Sequence, residues 1–222
     1  MSTKHEAHWH HFESLEHQHE TTTLGMWVFL ATEVMIFGAL FTAYTVYRSA
    51  YSASFEDASR HLNLLVGGIN TIVLLTSSLT MVLAVRAAHM GRQKTLERYL
   101  LLTLLFGTTF LVLKAVEYSF DYKDNLIPGL AFEPNEWRRA PVRPDHVQMF
   151  LVFYYILTGL HAVHMIFGMI VLVTLWVMAR RGVFSAEYYT PVEIWGLYWH
   201  FVDIVWIFLL PLLYLIGTHA AH

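Results

Sequence analysis

The chain has 222 residues, of which 56% are hydrophobic and 14% carry a charge. A soluble domain of average composition carries about 25% charged residues, so this composition indicates a membrane protein. The absence of cysteine excludes disulfides, thiolate metal sites and a cysteine nucleophile, and the net charge of −3 gives no indication of nucleic-acid binding.

The first 23 residues are polar, and we interpret them as a solvated, histidine-rich tail, with specific metal binding as the alternative. The histidines of this tail are His5, His8, His10, His11, His17 and His19. Five apolar runs follow, each long enough to supply the ~20 residues that a helix needs to cross a membrane. The predicted spans are about 24–47, 63–88, 98–120, 147–179 and 192–217, with a short C-terminal tail over 218–222. The predicted fold is an all-α membrane protein, a bundle of five transmembrane helices.

One connection between the predicted spans is long. Residues 121–146 contain four of the six prolines and nine charged side chains, so we interpret this segment as a polar surface loop. With the N-terminus inside, the inner segments hold seven Lys and Arg residues and the outer segments hold six. This difference is too small to fix the orientation by the positive-inside rule.

Ionisable side chains lie well inside four of the predicted spans. Such residues are costly at membrane depth and mark candidate functional sites. They are Glu33 in the first span, Lys114 and Glu117 in the third, His161 and His164 in the fourth, and His200 and Asp203 in the fifth; the second span carries Asn70, Ser77 and Ser78 instead.

Several of these side chains are predicted to lie at a similar depth. At ~1.5 Å per helix residue, Glu33 lies roughly 15 Å from the start of its span, and His200 and Asp203 lie at roughly 12–17 Å. The span that carries His164 enters the membrane from the opposite side, and His164 falls in the same half of the membrane as Glu33, His200 and Asp203. We therefore predict one buried polar layer that contains Glu33, His161, His164, His200 and Asp203.

The spacing of these residues limits what the layer can do. His161 and His164 are three residues apart and share a helix face, and so do His200 and Asp203, which are candidates to pair directly. One face of one helix cannot supply both axial ligands of a haem, and two imidazoles would bind a metal only with help from another helix, through Glu33 or Asp203. Hydrogen bonding between helices is the preferred interpretation; a proton-linked role for Glu33 and a metal site are the alternatives.

Four long segments carry a family resemblance, and they occur in the family's order. They are LGMWVFLATEVMIFGALF (24–41), GGINTIVLLTSSLTMVLA (67–84), FYYILTGLHAVHMIFG (153–168) and YWHFVDIVWIFLLPLLYL (198–215). The chain resembles the cytochrome c oxidase subunit 3 family, subunit III of the haem-copper oxidases. Glu33 falls on the family's intramembrane glutamate. The chain departs from the mitochondrial form by having five spans rather than seven, as in bacterial forms, and by carrying Lys114 where a neutral amide is expected.

The resemblance implies an accessory, non-redox subunit of a bacterial aerobic cytochrome c oxidase, which passes electrons from cytochrome c to O2 and pumps protons. Haems and copper are expected in partner subunits and none in this chain, while bound phospholipid is expected. The implied partners are subunit I near its proton-uptake path, subunit II, other small subunits and membrane lipids, but no nucleic acid; membership of a larger supercomplex stays open. The implied location is the bacterial inner membrane, with a cytoplasmic N-terminus and a periplasmic C-terminus.

Two alternatives remain open from the sequence. The first alternative to a cytochrome c oxidase subunit is the related subunit of a quinol oxidase or a nitric oxide reductase. The second, in a different class of protein, is a free-standing membrane haem or metal enzyme.

Overall fold

The computed structural model describes residues 15–137 and 141–218, and five helices in it are long and apolar enough to cross a membrane. These are α1 (Leu15–Ala50), α3 (Leu64–His89), α4 (Gln93–Lys123), α5 (Pro144–Arg180) and α6 (Thr190–Tyr214), with the short helix α2 (Ser52–Ser59) after α1. The predicted bundle of five transmembrane helices is therefore confirmed. The described part of α1 starts at Leu15, inside the segment interpreted as a tail, whose residues His5, His8, His10 and His11 lie outside the described part of the chain. The last helix ends at Tyr214 and is followed by a 3-10 turn over Ile216–Thr218, while residues 219–222 of the C-terminal tail also lie outside the described part.

The connection after α4 contains more regular structure than the sequence suggested. α4 continues to Lys123, so Asp121 belongs to this helix and not to the loop. The strands β1 (Leu126–Ile127) and β2 (Ala131–Phe132) then form an antiparallel hairpin, with Gly129 at φ 77° between them, and a 3-10 turn covers Pro134–Trp137. The hairpin residue Leu126 is buried, so this segment packs against the end of the bundle where α4 ends.

Side chains satisfy free backbone groups at the start of α3 and at the end of α6. At the start of α3, the side-chain oxygen of Asn63 accepts a hydrogen bond from the Val66 amide at 3.2 Å. At the end of α6, Tyr44 donates to the Leu212 carbonyl at 2.6 Å and Ser59 donates to the Leu213 carbonyl at 2.7 Å. These bonds satisfy carbonyls that have no partner within the helix and tie α1 and α2 to the end of α6.

Four helices enclose the core, and the first helix packs on their outside. α3 contacts α4 and α6, and α5 contacts the same two helices, while α1 lies against α6 and α5. The Trp199 ring on α6 fills the space between two glycines of neighbouring helices. A Cβ atom at Gly107 on α4 would lie 3.0 Å from this ring, and one at Gly168 on α5 would lie 3.1 Å from it. Small residues therefore let α4 and α5 approach the largest side chain of the core.

Candidate functional site

Glu33 on α1 and His164 on α5 form a hydrogen bond between two transmembrane helices. The Oε2 and Nε2 atoms are 2.8 Å apart, and the side chains are only 12% and 14% exposed. The Nδ1 atom of His164 lies 2.8 Å from the carbonyl oxygen of Leu160. Because a carbonyl oxygen can only accept, Nδ1 carries a hydrogen and Nε2 faces the carboxyl group.

This geometry requires one proton between Glu33 and His164. With the proton on the carboxyl group, Glu33 donates to a neutral imidazole; with the proton on Nε2, an imidazolium donates to a carboxylate. Both forms keep the same hydrogen bond and differ only in the atom that holds the proton. The pair therefore bridges two helices and can change its charge distribution without a change in the positions of the heavy atoms.

A third helix joins this pair through the backbone. The hydroxyl of Tyr198 on α6 donates to the carbonyl oxygen of His164 at 3.0 Å. The ring of Phe37 lies 5.3 Å from the His164 imidazole and is itself buried. The Glu33 site thus connects α1, α5 and α6 and is covered by aromatic rings.

His200 bonds to a neighbouring helix and not to Asp203. Its Nδ1 atom lies 2.8 Å from the hydroxyl oxygen of Ser78 on α3. Asp203 is buried close to the same serine, but neither of its carboxyl oxygens has a hydrogen-bond partner among the described residues. The direct pairing of His200 with Asp203 that the spacing suggested is therefore not found.

His161 faces the interior of the four-helix core. The imidazole is 1% exposed and lies 5.5 Å from the Phe110 ring of α4 and 5.3 Å from the Trp206 ring of α6. Within residues 15–137 and 141–218, its two nitrogens have no hydrogen-bond partner, and the same holds for the side-chain amide of Asn70. The five side chains predicted as one layer are thus divided: Glu33 and His164 contact each other, while His161, His200 and Asp203 face other neighbours.

A second polar cluster lies in the other half of the bundle, around Lys114. The ammonium group of this buried lysine donates to Glu117 Oε2 at 3.0 Å, to the Tyr214 hydroxyl at 2.9 Å and to the Tyr154 hydroxyl at 3.2 Å. Glu117 Oε1 accepts from Tyr154 at 3.0 Å and from Tyr214 at 2.5 Å. Asp121 completes the cluster, with its Oδ2 atom 3.4 Å from the Tyr154 hydroxyl. We call these five residues the Lys114 cluster.

The Lys114 cluster explains the lysine that departs from the family pattern. A charge in a medium of low dielectric constant is tolerated when it is paired and its remaining donors are satisfied. Lys114 has one carboxylate and two hydroxyl groups as partners, which use the three N–H donors of its ammonium group. The cluster therefore links α4, α5 and α6 without leaving an unpaired charge on the lysine.

The sequence patterns did not single out Tyr154, Tyr214 or Asp121. A signal was present, because Lys114, Glu117 and Asp121 are spaced i, i+3 and i+7 and lie on one face of α4. This pattern was not recognised because Asp121 was assigned to the loop. No local pattern indicates the two tyrosines, which come from different helices.

Tryptophans of α6 donate to hydroxyl groups of α3. The indole N–H of Trp199 donates to Ser77 at 3.1 Å, and that of Trp206 donates to Thr71 at 3.1 Å. These bonds join two of the segments that carry the family resemblance, 67–84 and 198–215. Across the described part of the chain, no three His, Asp or Glu side chains lie close enough together to hold a metal ion.

The comparisons with known proteins agree with the resemblance. A family model described as cytochrome c oxidase subunit III matches residues 4–126 and 137–218. Cytochrome c oxidase subunit 3 from Synechocystis is 33% identical over 212 residues, which cover 95% of this chain and 80% of that protein.

Two further relatives have names other than cytochrome c oxidase subunit 3. The haem-copper oxidase subunit I+III from Aeropyrum pernix is 33% identical over 200 residues, covering 86% of this chain and 22% of that longer protein. A probable quinol oxidase subunit 3 from Staphylococcus aureus is 27% identical over 207 residues, covering 92% of this chain and 94% of that protein.

Proposed function

The chain belongs to the cytochrome c oxidase subunit III family, and from this premise we propose that it is the accessory, non-redox subunit III of a bacterial aerobic cytochrome c oxidase. Such an enzyme passes electrons from cytochrome c to O2 and pumps protons. Its haems and copper belong in the partner subunits, and this chain stabilises subunit I near the path of proton uptake.

The use of the intramembrane histidines is the observation that supports an accessory role. Both ring nitrogens of His164 are engaged, one by the Leu160 carbonyl and one by Glu33. His161 lies between two aromatic rings, and His200 is bonded to Ser78. His164 and His200 thus bond to neighbouring helices, while His161 is enclosed by aromatic rings and its nitrogens have no hydrogen-bond partner among the described residues. The bonds of His164 and His200 fit the bridging of helices.

We propose subunit I as the main partner, with subunit II and other small subunits in the same complex. The relative named subunit I+III supports this assignment. The helix α1 offers a surface for the contact, since Met35 is 72% exposed and Val34 is 56% exposed at mid-membrane positions of the outermost helix. Such apolar side chains contact either lipid or a partner helix.

We place the chain in the bacterial inner membrane, with a cytoplasmic N-terminus, a periplasmic C-terminus and bound phospholipid. An odd number of spans puts the two ends on opposite sides. The family resemblance supports this orientation, since the count of seven cationic residues against six is too small to decide it.

Deletion of this chain from the native organism tests the proposed role. The purified oxidase without it should contain its haems and reduce O2 at the initial rate of the complete enzyme, but lose activity faster during turnover. Loss of the initial rate with intact haems would instead show a direct part in catalysis. The matched control is the deletion strain that carries the gene on a plasmid.

A quinol oxidase is the second candidate, because the Staphylococcus aureus relative is named as a probable subunit of one. Purification of the complex through this chain distinguishes the two. A cytochrome c oxidase oxidises reduced cytochrome c, whereas a quinol oxidase oxidises quinol and is inactive with the cytochrome.

A further inference from the structure

The Lys114 cluster contains one more carboxyl group than cations. Lys114 pairs with Glu117, whose Oε2 atom lies 3.0 Å from Nζ. Asp121 lies about one turn further along α4 and is only 6% exposed. It forms no ion pair with a lysine, arginine or histidine of the described residues. With all three groups ionised, the cluster would therefore carry one uncompensated negative charge inside the bundle.

Two tyrosine hydroxyls of α5 contact the carboxyl group of Asp121. Its Oδ2 atom lies 3.3 Å from the hydroxyl of Tyr155 and 3.4 Å from that of Tyr154. A phenol hydroxyl both donates and accepts hydrogen bonds, so it can contact either form of a carboxyl group. An ionised Asp121 would accept from these hydroxyls, whereas a protonated Asp121 donates its hydrogen to one of their oxygens. The site therefore accommodates the carboxyl group with a proton as well as without one.

The hydrogen of Tyr154 is shared between two carboxyl groups. Its hydroxyl lies 3.0 Å from Glu117 Oε1 and 3.4 Å from Asp121 Oδ2. The shorter contact assigns this hydrogen to Glu117. An ionised Asp121 would then keep only Tyr155 as a donor among these tyrosines, and one hydroxyl does not compensate a buried charge.

A proton on Asp121 makes the cluster electrically neutral. A charge taken out of water costs several kcal/mol unless it is paired, and an ionisable side chain at membrane depth marks a candidate functional site. The charged groups that act on Asp121 are Lys114 and Glu117 of its own helix, while α5 contributes the neutral phenols of Tyr154 and Tyr155. Protonation of Asp121 leaves the ion pair of Lys114 and Glu117 unchanged and removes the extra negative charge.

Asp121 is also close to water. The helix α4 ends at Lys123, which is two residues or about 3 Å beyond Asp121 along the helix axis. The side chains of Lys123 and Asp124 are exposed there, and Tyr122 is 60% exposed. A proton can therefore pass between Asp121 and the water at this end of the bundle without crossing the hydrocarbon.

We propose that Asp121 is a proton-binding site, which holds one exchangeable proton at the end of the bundle where α4 ends. A tyrosine hydroxyl of α5 accepts the hydrogen bond of the protonated carboxyl group, and Glu117 remains the ionised partner of Lys114. Every group of the site belongs to this chain, so the inference goes beyond the proposed function and does not depend on it. The bundle then has two states that differ by one proton and one negative charge, at a point where α4 and α5 meet.

Infrared spectroscopy of the full chain in mild detergent tests this proposal, because the C=O stretching band counts protonated carboxyl groups. Carboxyl groups elsewhere in the chain cancel in the difference spectrum between the wild type and each variant. Asp121→Asn should lose one protonated carboxyl group at neutral pH. Asp124→Asn, which removes an exposed carboxyl group three residues further along the chain, should lose none. The band lost in Asp121→Asn should shift in the wild type when H2O is replaced by D2O.

Two variants of the ion pair test the charge count. Glu117→Gln should also lose the band, because Asp121 then becomes the ionised partner of Lys114. Lys114→Met/Glu117→Gln should restore the band, because no cation remains to pair with an ionised Asp121. This restoration separates the effect of charge from a change in structure, since the double variant is altered at more positions than Glu117→Gln.

Three results would overturn the proposal. An unchanged band in Asp121→Asn would show that Asp121 is ionised in the wild type. A band retained in Glu117→Gln would show that the ion pair does not determine where the proton resides. A band that does not shift in D2O would show that the proton does not exchange with water. If the double variant fails to fold, the comparison of Asp121→Asn with Asp124→Asn still decides whether Asp121 holds a proton.

Discussion

Lys114→Met removes the ammonium group from the Lys114 cluster while it keeps a long side chain of similar shape. The substitution leaves the Glu117 carboxyl group, which is buried between α4, α5 and α6, without its charged partner. Removal of one partner of a buried ion pair costs about 3–5 kcal/mol, since the remaining charge is uncompensated. For a chain of this size, 1 kcal/mol corresponds to roughly 2–4 °C in Tm, so we expect a decrease of roughly 6–20 °C.

The double variant Lys114→Met/Glu117→Gln shows whether the charge pair causes this loss. The glutamine amide remains within reach of the Tyr154 and Tyr214 hydroxyls, which bond to Glu117 at 3.0 and 2.5 Å. Replacement of both charges leaves no unpaired ion, so the double variant should recover most of the lost stability. Each single variant should be less stable than the double variant.

Thermal unfolding of the chain in mild detergent, followed by circular dichroism, measures these differences. Lys123→Met is the matched control, because Lys123 lies at the exposed end of the same helix and its loss should change stability by less than about 0.5 kcal/mol. A double variant as unstable as Lys114→Met alone would refute the reasoning, since the loss would then come from packing and not from charge.

Three further predictions concern other parts of the chain. Glu33→Gln should assemble normally with the oxidase, because the glutamine amide can donate to a neutral His164. Glu33→Ala should reduce the recovery of this chain with the oxidase, because it leaves Nε2 of His164 without a partner at a cost of about 1–3 kcal/mol. Equal losses of recovery in the two variants would contradict this, and full assembly of Glu33→Gln with reduced proton pumping would show a proton-linked role. Gly168→Ala should lower Tm in the unfolding assay, because its Cβ would lie 3.1 Å from the Trp199 ring, whereas Gly159→Ala, with nothing within 4 Å, should leave Tm unchanged; equal effects would show that Trp199 packing is not responsible. A cysteine introduced at position 3 should resist an impermeant thiol reagent in intact spheroplasts; rapid labelling would reverse the proposed orientation.

The sequence predicted the five spans because hydropathy and length alone determine them. It also named His164 among the candidate partners of Glu33, from an argument about depth. The prediction of side-chain contacts failed where these contacts depend on how each helix is rotated about its axis. Residues three apart on a helix are about 60° apart around its axis, so His161 and His164 face different neighbours, as do His200 and Asp203.

The same spacing gave a direct contact in α4, where Lys114 and Glu117 are also three residues apart. The difference lies in the side chains. The four methylene groups of Lys114 let it bend across this 60° of helix surface to Glu117, whereas His200 bonds to Ser78 on a neighbouring helix. A long, flexible side chain thus makes a contact at this spacing easier, and a partner on another helix, such as Ser78, has no signature in the sequence around His200.

The two polar sites have different consequences for assembly because they join different helices. Glu33, His164 and Tyr198 join α1, α5 and α6, and the Lys114 cluster joins α4, α5 and α6. The sites are about 15 Å apart along α5, from Tyr154 to His164. Lipid gives helices little hydrophobic reason to associate, so such bonds help to decide which helices become neighbours. α5 and α6 are held at two heights, whereas α1 shares only the Glu33 site. Since α1 also carries the exposed surface proposed for subunit I, loss of Glu33 should weaken assembly with the oxidase more than the fold of the chain, and loss of Lys114 should do the reverse.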